Sequence, residues 1–361
     1  MLYIINNTMN KIINKPFQLD NIFNRSIYYF FDEFENERKS IKIYKVVQKD
    51  FWVNNEISIQ QKIIKIEDWK NYFYIYENIC KLQISNLNNI TPIISTINKK
   101  NNNMFLLEYN DITITPLKIY LKRILKSKKY ILSIIEFYKQ MIKSIELLSF
   151  TKIVHNFINF DSIAVDNKEN VLLTNFSFSI DFNQSNMNDY IKNFFVTYDP
   201  TYTEWPLELH ILSYILTNKL KSISKYNIEV IIQNYIDNNY ILKTFDTQLV
   251  NSYKEESLIF FLKYVNKSED YILTDIMKYY NTWDNYATSI LFLRILISNN
   301  DGLERQNKFI LYFMKLLVKN IHLNPVKRFS LSETLNNYEN MLNTLKIDDY
   351  KDLIKHNLMF T

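Results

Sequence analysis

IVHNFINFDSIAVDNKENVLLTNFSFSIDF, residues 153–182, is the stretch whose reading decides the fold. Two short apolar runs, Ser162–Val165 and Asn170–Leu173, flank the polar turn Asp166-Asn167-Lys168-Glu169. That pattern predicts a β-hairpin, with one polar loop entering it at His155 and another leaving it at Asn175. A hairpin of this kind is a rigid mount for two loops, so the chemistry of the chain is expected on those loops.

The layout resembles the catalytic centre of the protein-kinase family, in which a loop H-R-D-x-x-x-x-N leads into a hairpin that ends at D-F-G. On that resemblance His155-Asn156-Phe157 stands for H-R-D, Asn159 for the loop lysine, Ser162 for the metal-binding asparagine and Asn175-Phe176-Ser177 for D-F-G. In a working kinase the loop aspartate accepts the substrate hydroxyl proton, and the asparagine and D-F-G aspartate hold the metal ions. Phe157 cannot accept a proton, Asn175 brings no charge to Mg²⁺, and Ser162 is a shorter, weaker oxygen ligand. Metal ligation by Asn175 and Ser162 would therefore be weak. Asp161 and Asp181 are the nearby carboxylates that could substitute.

Upstream, Tyr130–Phe150 carries Ile131, Ile134, Ile135, Tyr138, Ile142, Ile145 and Leu148 at spacings of three and four, which predicts a long amphipathic helix delivering the chain to His155. Downstream, Pro206-Leu207-Glu208 resembles the A-P-E close of a kinase activation segment. His322–Ser330 resembles the D-P-x-x-R-x-[ST] signature whose arginine pairs with that glutamate, so the resemblance implies a Glu208–Arg328 ion pair. Trp283–Leu293 resembles the central helix of the family, with Asp284 expected to hold the backbone of the loop at His155. These three are structural expectations. The interval from Glu208 to Asp284 is long for a kinase, and the helical pattern across about 215–280 is read as an inserted helical segment.

The first part of the chain carries weaker signals. Ser26–Phe31 and Ser40–Val47 read as strands, and Met104–Tyr109 as a buried strand after the polar turn Asn101-Asn102-Asn103. The resemblance makes the region around Glu108 the hinge that holds adenine. Either Lys42 or Lys45 stands where the family's phosphate-binding lysine is expected, and Glu56 where its helical partner is expected. A solvent-facing lysine on an edge strand is the competing reading. The only glycine is Gly302, so the phosphate-covering glycine loop is missing.

The expected fold is α+β: a two-lobed protein-kinase-like architecture with a small β-rich lobe over 1–108, a mainly helical lobe over 109–345 and a tail over 346–361. The 361 residues, 47% of them hydrophobic, are enough for two cores. Abundant Asn, Ile, Lys and Tyr with a single glycine suggest an AT-rich genome. The arrangement around PLELH, the insertion and TWDNY resembles kinase-like proteins of large nucleocytoplasmic DNA viruses.

A formal charge of +5, carried by lysines spread along the chain, gives no concentrated stripe of the kind nucleic-acid binding uses. One cysteine, Cys80, excludes an internal disulfide, and four scattered histidines argue against a zinc site. No apolar run reaches membrane-spanning length, and the N-terminus lacks a signal-peptide cleavage region. The expectation is a pseudokinase in the host cytoplasm or viral factory, or packaged in the virion, serving as scaffold, regulator or virion component for a protein partner. It requires no cofactor, with ATP and Mg²⁺ only as residual ligands. The alternative is an active, atypical viral Ser/Thr kinase transferring the ATP γ-phosphoryl group to protein hydroxyls.

Overall fold

The computed structural model describes residues 28–32, 42–82, 104–109, 114–127, 129–298 and 308–344. The protein is mixed α/β, mostly helical with small sheets. Two compact units divide it, one drawn from Met1–Leu117 with Ile163–Ser177, the other from Lys118–Ser162 with Phe178–Thr361. Cys80's side chain, Asn101–Asn103, Gly302 and the tail from 346 lie outside what is described.

In the first unit, strands β1 (Tyr28–Asp32), β2 (Lys42–Gln48), β3 (Tyr76–Leu82) and β4 (Met104–Tyr109) form an antiparallel sheet in the order β1-β2-β4-β3. Residues 26–27 and 40–41 of the expected strands are outside the described set. Helix α1 (Phe51–Ile63) starts where Asp50 accepts a hydrogen bond from the Val53 N–H at 2.8 Å, satisfying one of the donors that every helix start leaves open. Its buried Val53 joins Val47, Tyr74, Tyr76, Leu107, Tyr109 and Leu172 in one core.

The expected hairpin is present as β7 (Ile163–Val165) against β8 (Val171–Leu173), antiparallel, with all six residues buried. Its turn is closed by Asp166, whose Oδ1 accepts from the backbone N–H groups of Lys168 and Asn170, both at 2.8 Å. This is the side-chain-to-backbone bonding that makes Asp a turn former. The boundary expected at 108/109 assigns the hairpin to the helical lobe. The structure groups it with the first unit because β5 (Thr115–Pro116) pairs with β7, and residues 72–74 bond to Leu173 through Tyr74 N–H to Leu173 C=O and Leu173 N–H to Tyr72 C=O, both 2.9 Å.

The second unit is helical. Helix α2 (Leu117–Ile124) crosses into it, and α3 (Tyr130–Phe150) runs over the residues its apolar spacing marks. Tyr138, fully buried, meets Phe292, Phe313 and Tyr338 edge-on, and its hydroxyl accepts from Asn320 Nδ2 at 3.4 Å. Edge-to-face pairs of this kind are worth about 0.5–1.5 kcal/mol each beyond area burial. After β6 (Ile153–Val154), which pairs with β9 (Ile180–Asp181), come α4 (Met187–Lys192) and α5 (Leu207–Thr217).

The interval around 215–280 holds α6 (Lys225–Asn238), α7 (Thr247–Phe261) and α8 (Glu269–Met277), opened by Ser224, Asp246 and Ser268 as side-chain caps. Then follow α9 (Trp283–Ser298), buried on nearly every face, α10 (Lys308–Asn320) and α11 (Leu331–Asn343). No helix among the described residues is long and apolar enough to cross a membrane.

With one glycine in the chain, left-handed backbone falls to other residues: Asp68, Lys152, Asn156, Glu169, Asn175, Lys219 and Asn266 all have positive φ. Asparagine and aspartate tolerate that region best among residues with a Cβ. At Asn156 (φ 60°) and Asn175 (φ 62°) the backbone itself therefore favours asparagine, whatever chemistry the side chain performs.

Candidate functional site

The loop from His155 to Ser162 is held from below by α9. The carboxylate of Asp284 accepts from the backbone N–H of His155 at 2.6 Å and of Asn156 at 2.9 Å. Burial pushes the Asp284 carboxyl up to about 7, against the two N–H donors that pull it down. His155 is fully buried, and its backbone carbonyl accepts from Ser179 Oγ at 3.3 Å. Its place is in the core beneath the loop.

Within the loop, the side chains of Phe157, Asn159 and Ser162 are all engaged by neighbours. Phe157, 5% exposed, lies with its ring 4.7 Å from that of Phe178 and stacks at 5.5 Å and 12° on Tyr202. Asn159 acts as a turn former: its Oδ1 accepts from the N–H groups of Asp161 (2.8 Å) and Ser162 (3.2 Å), and its Nδ2 donates to the Tyr202 hydroxyl at 3.5 Å. The Ser162 hydroxyl accepts from the Asn159 N–H at 3.0 Å and donates to the Asn159 carbonyl at 3.1 Å. Asn156 donates to the Phe178 carbonyl, while Trp205 Nε1 donates to the Asn156 carbonyl at 3.0 Å. The loop is closed by its own atoms and by the segment 202–205.

In the first unit, Asn175 Oδ1 accepts from Ser177 Oγ at 2.9 Å, and the Ser177 carbonyl accepts from Asn55 Nδ2 of α1 at 2.9 Å. Phe176 is fully buried against Phe73. Glu56 and Glu108 are buried as well. Glu56 Oε1 accepts from Gln60 Nε2 at 3.1 Å, and Gln60 Oε1 accepts from the Tyr76 N–H at 3.1 Å. Lys42 and Lys45 occupy β2, opposite Asp32 and Tyr29 of β1, but their side chains are outside the described set.

These residues do not suit a divalent metal. Such ions take oxygen ligands dominated by carboxylates. Asn175 offers a neutral amide oxygen that already accepts a hydrogen bond, and the Ser162 hydroxyl is engaged twice within its loop. Asp181 is no substitute, since its Oδ1 accepts from Asn183 and its Oδ2 from Gln184. Asp161 is exposed and lends its backbone N–H to Asn159. Among the described residues there is no group of three or more His, Cys, Asp or Glu that could hold a metal ion.

The scaffold pair is bidentate. Arg328 donates from Nη1 to Glu208 Oε1 at 2.6 Å and from Nη2 to Oε2 at 2.9 Å, with both side chains fully buried. Its Nε donates to the His322 carbonyl at 2.7 Å, Nη1 also reaches Thr282, and the guanidinium lies 5.0 Å from the Tyr286 ring centre. The remaining donors of the arginine are thereby largely satisfied, as a buried ion must be.

A second pair was not read from sequence. Arg294 of α9 donates to the Glu204 carboxylate and to the Thr203 hydroxyl. Burial raises Glu204 above the usual carboxylate range while Arg294 pulls it back, and burial drives the Tyr202 hydroxyl well above its ordinary value. Tyr202 stays neutral and stacked over Phe157. Glu204 and Arg294 lie 90 positions apart with no motif joining them, so only the placement of α9 pairs them. His210 completes the surroundings: fully buried, with Nε2 3.1 Å from the Tyr202 carbonyl, it is lowered to about 4 by burial.

No protein-family model matches this chain, and no curated protein matches it in sequence.

Proposed function

We propose that this chain is a protein-kinase-like scaffold without phosphoryl-transfer activity, a pseudokinase whose work is to bind a protein partner. The observation that carries the reading is the contrast between frame and loop. Asp284 holds the loop backbone at His155 and Asn156, and Arg328 is forked onto Glu208 at the start of the helix that follows, the two fixed points that a kinase-like frame requires. The loop so held contains a stacked phenylalanine where a proton acceptor would be needed, and side chains that bond to their own turn.

General-base catalysis alone is worth roughly 10²–10⁴ in rate, and electrostatic stabilisation of the transferring group adds to that. Phe157 removes the first contribution, and Asn175 with Ser162 weakens the second. A small antiparallel sheet with one capped helix, followed by a helical unit, is the element order such a scaffold requires.

The test is incubation of the full chain with γ-labelled ATP and Mg²⁺ or Mn²⁺, alone and with basic and acidic protein substrates. The expected result is no incorporation above that of Asn175→Ala. Metal-dependent incorporation that disappears in Asn175→Ala would overturn the proposal.

A further inference from the structure

The positive charge looks evenly spread in the sequence, but the exposure of one helix concentrates it. Between Asp111 and Glu136 the chain has no acid, while Lys118, Lys122, Arg123, Lys126, Lys128 and Lys129 fall within that interval. Helix α2 sorts them. Leu117, Tyr120, Leu121 and Ile124 are buried, and Lys118, Ile119, Lys122 and Arg123 are exposed, with Leu125 and Lys126 continuing the exposed side in the next turn. Spacings of one, three and four put the exposed set on one helical face.

None of Lys118, Lys122, Arg123 and Lys126 has an ion-pair partner among the described residues. Ile119 at 51% exposure and Leu125 at 38% stand among them. Lys128 is outside the described set, and Lys129 lies 5.9 Å from the Tyr120 ring centre.

We infer that this face of α2 is a docking surface for an anionic membrane. The charge calls for a polyanion, and the exposed apolar side chains decide which kind. A single-stranded nucleic acid would use exposed aromatic faces for its bases. Here the tyrosines of the segment, Tyr120 and Tyr130, are buried, and the groups exposed among the cations are aliphatic. Aliphatic side chains ringed by lysine and arginine suit a headgroup layer, where the chains enter the acyl boundary and the cations meet lipid phosphate and carboxylate. The inference is independent of whether the chain transfers phosphate, and it adds a second surface to the proposed scaffold.

The test is co-sedimentation of the full chain with phosphatidylcholine vesicles, with and without phosphatidylserine. Each basic residue near an anionic surface contributes about a fivefold gain in partitioning. Binding to the serine-lipid vesicles, weakened about 30-fold by Lys122→Gln with Arg123→Gln and by raised salt, is the expected result. Ile119→Ser is expected to weaken binding while leaving the salt dependence in place. Since all three positions are exposed, circular dichroism is expected to stay unchanged. Equal binding to both vesicle types, no binding to either, insensitivity to the double variant, or tighter binding to an oligonucleotide than to the anionic vesicles would overturn the inference.

Discussion

Replacing Arg328 by methionine removes the cation from a pair in which both side chains are fully buried, leaving the Glu208 carboxylate inside the protein without its two guanidinium donors. The His322 carbonyl and Thr282 hydroxyl lose a donor at the same time. Breaking a buried pair by removing one partner costs about 3–5 kcal/mol, because a charge stays behind with nothing to offset its desolvation. Replacing both partners, Glu208→Leu with Arg328→Met, is expected to recover most of that loss, since apolar replacement of a whole buried pair is often neutral.

Urea unfolding followed by circular dichroism measures this. With a slope of about 3 kcal/mol per molar urea, the single variant is expected to shift the midpoint down by roughly 1–1.7 M. The double variant should lie closer to wild type than either single variant does. Single-variant losses below about 1 kcal/mol, or simple addition of the two losses in the double variant, would refute the claim that Glu208 and Arg328 act as one buried unit.

Three other outcomes are expected. Phe157→Asp, which puts a proton acceptor into the loop, should yield no phosphoryl transfer and should destabilise by at least the roughly 3–5 kcal/mol of a buried aromatic truncation, read by thermal unfolding, because the carboxylate replaces a ring stacked on Tyr202 and packed against Phe178. Asp284, held near 7 in the fold against about 3.9 in an unfolded chain, keeps its proton in the native state over that window. Its stability contribution is full below about pH 4 and is lost as pH rises through about 7, so Asp284→Asn should flatten the fall in melting temperature between about pH 4 and 7 relative to wild type. Lys219 sits with φ 50° just past α5, where the Leu220 N–H bonds the Ile215 carbonyl, so Lys219→Gly should raise unfolding stability by about 0.5–1 kcal/mol.

Parts of this protein could be read from residues because local spacing or a long-range signature carries them. Helix α3 keeps apolar residues at threes and fours for its whole length, and Asp166 announces its turn. Glu208 and Arg328 could be paired at 120 positions' separation because both sit in recognisable surroundings. The seal over the loop could not be read that way. Tyr202 stacks on Phe157, and Glu204 meets Arg294, through the course of a polar segment that has no period. Asn159 stands where the resemblance puts a lysine, and in the fold its Oδ1 accepts from two backbone N–H groups of the following turn. The positive φ that favours asparagine at 156 and 175 is a backbone property, which a side-chain motif does not express.

The most direct test of the central claim is a thermal-shift titration of the full chain with ATP to millimolar concentration, with and without Mg²⁺ or Mn²⁺. A nucleotide present at 100 times its Kd would stabilise the fold by about 2.7 kcal/mol. With a neutral amide at Asn175 and a hydroxyl at Ser162, both already hydrogen-bonded, the account predicts that adding the metal ion contributes no further shift. A metal-dependent rise in melting temperature that is abolished by Asn175→Ala would contradict it.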